Sequence, residues 1–400
     1  MIKFINTRIR VRCFIAVFFS LILLAGCSSK KNNIINISFK GQNTSKSIFK
    51  VLDSIEIKND SMKVLSIYKV MEYKDTTLLA LDPLNTSILL LSKGGTIIKR
   101  IGRKGNGPGE FRSIEDFIVD ENNNLYVLDY LGHKVGKFNS DLKFVKNYSL
   151  SFVHRNPEGI VLYNNQFIIS AQNNLTNGST KGNYSFLKYE DNSFLNVYDE
   201  KFNYETAFLH PEKKLLSTKG VLTRPWGQLA YAVVHGNLLF TITQEGFYKI
   251  KVFNAKHELL YIYNVKDSTF KNIDENSISN FRIINRRQAN ISEKEIGRII
   301  GDHSVPYKVF STKDFLIIEM RDPIPNYFPF YSKTYVLPTV YVDVFEFNGS
   351  KLEPLVSDYR FNNYYLVGVG KNNSIYLSNQ TFGNTDRNSN IIIKHVKIVN

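Results

Sequence analysis

Cysteine is almost absent from this chain of 400 residues, which has two. Cys13 lies inside an apolar N-terminal segment and Cys27 directly follows that segment, so the rest of the chain has no cysteine pair to oxidise. A disulfide scaffold and a cysteine nucleophile are therefore excluded. Apolar runs of the roughly 20 residues that a membrane helix needs are missing as well.

Common catalytic motifs are also missing. The sequence contains no G-x-S-x-G nucleophile elbow. Its seven histidines never stand in an H-x-x-x-H or H-x-H spacing; they are His133, His154, His210, His235, His257, His303 and His395. We therefore predict no cofactor and no metal site. A divalent metal held by His and acidic side chains from distant parts of the chain is kept as the alternative.

The N-terminus has the pattern of an export signal. Basic residues precede the apolar run 13–26, which is too short to span a membrane as a helix. The run ends in Leu24, Ala25, Gly26 and Cys27, which resembles the lipobox of bacterial lipoproteins, where the cysteine is lipidated. An ordinary secretory signal followed by an unmodified cysteine is the alternative.

These features predict three parts of the chain. Residues 1–26 are the signal peptide, 27–40 contain the lipidated Cys27 and a polar tether, and 41–400 form the folded domain. We expect a lipid anchor in the cell envelope, on the outer membrane, with the domain facing the periplasm or the exterior.

The formal net charge is +15, but Lys and Arg alternate with Asn, Ser and Tyr along the whole chain. Nucleic-acid binders cluster these residues on one face, so we predict no nucleic-acid partner. The diffuse positive field still favours anionic glycans or lipid phosphates.

Short runs of aliphatic and aromatic residues, bounded by Asn, Gly, Asp and Ser, predict an all-β fold. One stretch repeats after 47 residues: the sequence LLALD at 78–82 matches LYVLD at 125–129. The same offset aligns Ile88 with Val135, Leu91 with Phe138, Ile97 with Phe144, Ile98 with Val145 and Lys99 with Lys146. Such an internal repeat indicates a repeat architecture.

Six segments open a copy of this unit, near residues 78, 125, 166, 237, 314 and 374. A four-stranded antiparallel blade with its turns needs about 40 to 50 residues, so the length predicts a six-bladed β-propeller with two larger insertions. The strands expected at 49–57 and 64–70 would close the ring against 391–399. A β-sandwich is the alternative fold.

The segment 101–111, IGRKGNGPGEF, resembles the connection between blades of NHL-type propellers. It is similar in particular to six-bladed β-propeller lipoproteins of gut-type Gram-negative bacteria. The resemblance implies the fold and the envelope location, and the family has no shared activity to transfer.

The same segment is predicted to be an inter-blade turn because glycines permit positive φ and proline fixes one φ. Its residues are Gly105, Gly107, Pro108, Gly109, Glu110 and Phe111. A phosphate cradle is the rejected alternative: no helix follows, Pro108 lacks an amide donor and Glu110 would repel an anion.

Asp82 and Asp129 occupy the same position of two repeats. Two carboxylates could act as a glycoside-hydrolysing pair. A repeated Asp at the end of a strand is better explained as an acceptor for the backbone amides of a turn, and we predict that role.

Two insertions interrupt the repeat. The first, 270–301, is rich in arginine and contains a capping box at 292–295 that predicts a short helix within 274–301. The second, 323–335, directly follows Arg321 and Asp322 and is rich in aromatic residues and proline. Loops on a rigid scaffold often bind ligands, so we predict ligand contacts there. The candidate residues are Arg282, Arg286, Arg287, Arg321, Tyr327, Phe328 and Tyr331. The alternative is that the rings pack between blades and the arginines are solvated.

Together these features favour a binding or scaffolding module for a glycan, a peptide or an envelope protein over an enzyme. The competing prediction is a metal-dependent propeller lyase or hydrolase with its site at the central channel.

Overall fold

The computed structural model describes fourteen stretches of the chain, and every structural statement below concerns them. They are residues 33–39, 48–58, 63–74, 76–150, 154–173, 193–210, 216–217, 220–221, 230–243, 246–272, 303–323, 339–349, 351–380 and 390–399. Within them all regular structure is β, in 27 strands. The helix predicted within 274–301 lies outside the described residues. No helix among the described residues is long and apolar enough to cross a membrane.

The strands form six four-stranded antiparallel blades. Blade 1 contains β3 (Lys69–Tyr73), β4 (Thr77–Asp82), β5 (Ser87–Ser92) and β6 (Ile97–Ile101). Blade 2 contains β7 (Ile114–Val119), β8 (Leu125–Asp129), β9 (Lys134–Phe138) and β10 (Phe144–Ser149). Blade 3 contains β11 (His154–Tyr163), β12 (Gln166–Asn173), β13 (Leu195–Tyr198) and β14 (Tyr204–Phe208).

Three further blades complete the ring. Blade 4 contains β17 (Ala230–His235), β18 (Leu238–Thr243), β19 (Lys249–Phe253) and β20 (Leu259–Lys266). Blade 5 contains β21 (Val305–Ser311), β22 (Phe315–Arg321), β23 (Val340–Asn348) and β24 (Lys351–Tyr359). Blade 6 contains β25 (Tyr365–Gly370), β26 (Ser374–Ser378), β27 (Ile392–Ile398) and β2 (Phe49–Glu56). A separate hairpin joins β15 (Leu216–Ser217) to β16 (Gly220–Val221).

The predicted six-bladed propeller is therefore confirmed, and the β-sandwich is wrong. The six openings found in the sequence are the second strands of the six blades: β4, β8, β12, β18, β22 and β26. Ring closure by 49–57 against 391–399 is confirmed by the antiparallel pairing of β2 with β27. The segment 64–70 has a different role, because its last residues begin β3, which forms a hairpin with the adjacent β4 inside blade 1.

β1 (Asn33–Ser38) adds a fifth strand to blade 4 by pairing in parallel with β20. This strand falls within 27–40, the segment predicted as a tether. Burial alternates along this strand, so that Ile35 and Ile37 pack against the hydrophobic cluster between blades 4 and 5 while Ile34 is exposed. Apolar burial at the outer edge of the blade explains why this part of the tether is ordered as a strand.

The core is divided into six layers, one between each pair of adjacent blades. Alternation along a strand makes each blade contribute to two layers. In β4, Leu78 and Ala80 pack toward blade 6, while Leu79 and Leu81 pack toward blade 2. The nearly continuous apolar second strands thus follow from burial on both faces.

The innermost strands, β3, β7, β11, β17, β21 and β25, surround a central channel. We call the face where these strands begin the upper face and the face where they end the lower face. The connections within hairpins at the lower face are tight turns with positive φ, as at Asn123, Leu142 and Asn165. Both insertions predicted from the sequence join strand ends at the upper face, 270–301 between β20 and β21 and 323–335 between β22 and β23.

Candidate functional site

The central channel contains a cavity of about 520 Å³, lined by the innermost strands of all six blades. Ligand sites commonly have volumes of about 300–1,000 Å³ and apolar walls with a few placed polar groups. The middle of this wall is apolar: Val70, Met71, Ile118, Val119, Ile160, Val161, Leu162, Ala232, Val233, Val234, Val309, Phe310, Val367 and Val369. The polar groups lie at its two ends.

Near the upper face, polar side chains make contacts around the channel, and we call them the belt: Tyr68, Lys69, Asp116, Glu158, Tyr231 and Tyr307. Lys69 Nζ lies 2.6 Å from Asp116 Oδ1 and joins blade 1 to blade 2. The other carboxylate oxygen of Asp116 accepts the backbone N–H of Ile160 at 2.9 Å, which joins blade 2 to blade 3. One aspartate therefore connects three blades.

Tyrosines complete the belt on the other side. Tyr231 of blade 4 donates to Glu158 Oε2 of blade 3 at 3.0 Å. The rings of Tyr231 and Tyr307 meet edge to face, with centroids 5.9 Å apart. The hydroxyls of Tyr307 and Tyr68 lie 3.2 Å apart, which returns the belt to blade 1. Blade 6 contributes no side chain to the belt. Its Gly368 packs closely on Val70, and a Cβ added there would lie 2.1 Å from the Val70 carbonyl oxygen.

Two cations stand beside the belt without carboxylate partners among the described residues. Lys308 Nζ lies 3.6 Å above the ring of Tyr68 and 5.5 Å from that of Tyr307. Arg321 places its guanidinium carbon 3.1 Å from the ring centre of Tyr307, and its buried Nε has no hydrogen-bond partner. Glu319, which faces Lys308 in the β21–β22 register, forms no ion pair with either cation. The aromatic rings contact both charges, and Glu319 interacts with them electrostatically without forming an ion pair.

Burial shifts the ionisation of the groups around the belt. It raises the pKa of Glu158 to about 8, with the charge of Glu115 as the second cause. Burial and the neighbouring Asp116 raise the pKa of Glu115 to about 7. Burial lowers the pKa of Lys308 to about 8. Acidic groups that keep a proton near neutral pH can donate hydrogen bonds or act in acid–base chemistry.

The lower end of the cavity has a smaller polar set. Glu72 Oε1 accepts the backbone N–H of Lys371 at 3.2 Å and the hydroxyl of Tyr376 at 3.0 Å. Across the channel, His235 Nδ1 and Ser311 Oγ are 3.0 Å apart. Lys371 is exposed, so this end of the cavity reaches the molecular surface.

Of the ligand-binding residues predicted from the sequence, the structure describes Arg321, which lies at the end of β22 beside the belt. The others lie outside the described residues: Arg282, Arg286, Arg287, Tyr327, Phe328 and Tyr331. Cys27 also lies outside them. The insertions join strand ends on the face that carries the belt.

The glycine-rich segment connects β6 to β7. Glu110 folds back into it, accepting the backbone N–H of Gly107 at 2.8 Å and pairing with Arg103 at 2.7 Å. Phe111 is fully buried in the layer between blades 1 and 2. The carboxylate of Glu110 thus occupies the backbone N–H that a phosphate cradle would offer to an anion, which agrees with the predicted role of the segment as a turn.

Asp82 and Asp129 are confirmed as turn acceptors. Asp129 is fully buried and accepts backbone N–H groups of Arg112, Ser113 and Gly132 at 2.9–3.0 Å. Asp82 accepts the N–H of Leu65 at 3.2 Å in the equivalent place. Among the described residues no group of three or more His, Cys, Asp or Glu is arranged to hold a metal ion.

The sequence analysis missed the belt and both glutamates. A signal was present, since Glu115 and Asp116 interrupt the otherwise apolar strand β7, and Glu158 lies within β11 before its apolar end. The pattern could not show that these strands line a channel, because each belt contact joins different blades.

Comparison with known proteins agrees with this architecture. A family model described as a 6-bladed beta-propeller matches residues 25–222. The chain is a six-bladed β-propeller. A comparison of the propeller with curated proteins returned no match.

Solved structures share the fold of this propeller at low sequence identity. A Bacteroides fragilis protein described as exported has a TM-score of 0.62 and 16% identity over 92% of this chain and 100% of its own. A member of the DUF4221 family from Bacteroides vulgatus has a TM-score of 0.58 and 12% identity over 88% of this chain and 98% of its own. Virginiamycin B lyase from Staphylococcus aureus reaches a TM-score of 0.45 and 10% identity over 88% of this chain and 100% of its own, a likeness that carries no argument about activity.

Proposed function

We propose that this propeller is an envelope-anchored binding module that holds a small amphipathic ligand in its central channel. The cavity of about 520 Å³ carries this proposal, because its wall is apolar and its two ends are polar. An apolar body would bury surface along the middle of the innermost strands, contributing about 25 cal/mol per Å² removed from water. Polar ends would be oriented by the belt and by the groups near Lys371.

The position of β1 supports a membrane source for such a ligand. Asn33, its first residue, pairs with Tyr261 near the start of β20, at the lower face. Five residues, 28–32, separate it from Cys27. At roughly 3.5 Å per extended residue this segment reaches about 20 Å. A lipid on Cys27 would therefore hold the lower end of the cavity close to the membrane surface.

A cavity-filling substitution tests the proposal. The full-length chain carrying Cys27→Ala lacks the predicted lipid and can be purified without detergent. Binding is then measured by the fluorescence of the neutral dye Nile red. We expect saturable binding that is lost in Ala232→Phe, whose new ring occupies the cavity. Ala207→Phe on β14, the outermost strand of blade 3, is the matched control and should bind normally. Unchanged binding in Ala232→Phe would place the site outside the channel.

Acid–base catalysis is a second candidate, favoured by the raised pKa values of Glu115 and Glu158 in the same part of the channel. Such groups suit a general acid near neutral pH. Mass spectrometry of a bound ligand separates the two functions: a chemically altered ligand, formed by the parent protein and not by Glu158→Gln, would establish catalysis. A ligand recovered intact supports binding.

A further inference from the structure

We infer that the channel ligand is an amphipathic carboxylate whose head group binds Lys308 beneath the belt. This inference rests on the proposed function and adds the chemical class of the ligand. It follows from the difference between two lysines near the upper face: Lys69 forms an ion pair with Asp116, whereas Lys308 forms no ion pair with a described residue.

Lys308 is the cation that faces the cavity without a counter-ion. Its Nζ contacts the rings of Tyr68 and Tyr307 and makes no hydrogen bond or ion pair with any described residue. Lys69, the lysine of the belt, is neutralised by Asp116 at 2.6 Å. A lysine ammonium has three donors, so Lys308 can still donate to an anion.

Arg321 adds a second positive charge behind Tyr307. Its guanidinium stacks on the ring and leaves the buried Nε without a partner in the described part of the chain. A buried cation without counter-ion is costly, and an incoming anion relieves that cost. Lys308 and Arg321 lie on adjacent strands of the same blade, so their fields add on one wall of the channel.

Three acidic groups lie near these charges, and burial raises the pKa of each of them. Glu158 already accepts the hydroxyl of Tyr231, and burial favours its protonated form. Glu115 lies on blade 2, opposite blade 5 in a ring of six, and burial also favours its protonated form. Burial also raises the pKa of Glu319, whereas the neighbouring charges of Lys308 and Arg321 lower it. Blade 5 therefore presents Lys308 and Arg321 to an anion, with Glu319 on the same blade, while Glu158 and Glu115 lie on blades 3 and 2.

The rest of the cavity suits an alkyl or similar apolar body. From Lys308 to Ser311 the strand β21 extends for about 10 Å at roughly 3.3 Å per residue, past Val309 and Phe310. Opposite it, on blade 2, lie Ile118 and Val119. A carboxylate at Lys308 would direct a medium-length chain along this wall toward the lower end.

Calorimetry with three matched probes tests the assignment on the full-length chain carrying Cys27→Ala. Decanoate, decanol and decylamine share one alkyl chain and differ in the head group. At neutral pH we expect decanoate to bind at least tenfold more tightly than either of the others. Octanoate should bind more weakly than decanoate, by about fourfold for each methylene removed.

Variants locate the head group. Lys308→Met keeps the length and apolar stem of the side chain, and it should weaken decanoate binding at least tenfold while leaving decanol binding unchanged. Lys143→Met, at an exposed position outside the cavity, is the matched control and should bind decanoate normally. Lys371→Met probes the lower end of the cavity, and a larger loss of decanoate binding there than in Lys308→Met would reverse the orientation and overturn the assignment to Lys308.

The failures of the two proposals are distinguishable. If decanol binds as tightly as decanoate, the channel binds ligands but the carboxylate assignment is wrong. If decylamine binds most tightly, the glutamates are the recognition groups and the assignment is again wrong. If none of the probes binds and Nile red does not bind, both the assignment and the channel function fail.

Discussion

The hydroxyl of Tyr231 donates a 3.0 Å hydrogen bond to Glu158 Oε2, joining blades 3 and 4 where the channel is narrowed by the belt. The bond favours the ionised form of Glu158, whereas burial opposes it more strongly, and the pKa of this carboxyl is raised to about 8. Removing the hydroxyl in Tyr231→Phe should raise that pKa further.

Stability should therefore fall as the pH rises. An unfolded glutamate has a pKa of about 4.3, so between about pH 5 and about pH 8 the folded state retains a proton that the unfolded state releases. Glu115 and Asp343, with pKa values raised to about 7 and about 8, act in the same sense. Lys308, with its pKa lowered to about 8, acts oppositely and only above that pH.

Urea unfolding across this window checks the prediction. The midpoint should decrease from pH 5 to pH 8 in the parent protein, and the decrease should be smaller in Glu158→Gln. Glu121→Gln, an exposed position, is the matched control and should follow the parent. Parallel curves for the parent and Glu158→Gln would contradict the assigned pKa.

Anchoring depends on Cys27 in our prediction. Cys27→Ala should move the protein from the membrane fraction to the soluble fraction, because a lipidated cysteine contributes about 0.8 kcal/mol of membrane affinity for each buried methylene. Cys13→Ala removes the other cysteine and should leave fractionation unchanged. Membrane retention of Cys27→Ala, measured by fractionation and immunoblotting, would disprove the lipoprotein prediction.

Asp129 should be required for stability because it accepts three backbone amides while fully buried. Asp129→Ala leaves those donors unsatisfied and should reduce the free energy of unfolding by about 2 kcal/mol or more. Asp141→Ala, on an exposed turn, should change it by less than about 0.5 kcal/mol. Chemical denaturation measures both, and equal effects would reject the turn role.

The insertions remain a predicted second contact surface. Arg286→Ala with Arg287→Ala, or Tyr327→Ala with Phe328→Ala, should weaken binding of an acidic glycan or an anionic peptide and barely change the melting temperature. If the two rings instead pack in the core, the aromatic variant should lose about 3–5 kcal/mol of stability for each buried ring. Melting curves beside a glycan-binding assay distinguish these outcomes.

The repeat itself could be predicted from the sequence because it arises from interactions between residues that are close together along the chain. Each second strand is buried on both faces, so it is a short apolar run bounded by polar turns, and this is visible in LLALD at 78–82 and LYVLD at 125–129. Asp82 and Asp129 end these strands and accept amides within 17 residues of themselves. Interactions over such short separations leave a pattern that recurs at a constant spacing.

The sequence alone therefore determined the blades, their number and the turn role of the repeated aspartates, since alternation and turn chemistry act between near neighbours. Only the tertiary structure decided the belt. Tyr68 and Tyr307 are 239 positions apart and meet because β2 closes the ring against β27. No periodicity connects such residues, and the contact of Lys308 with the ring of Tyr68 exists only once the innermost strands of the blades surround one channel.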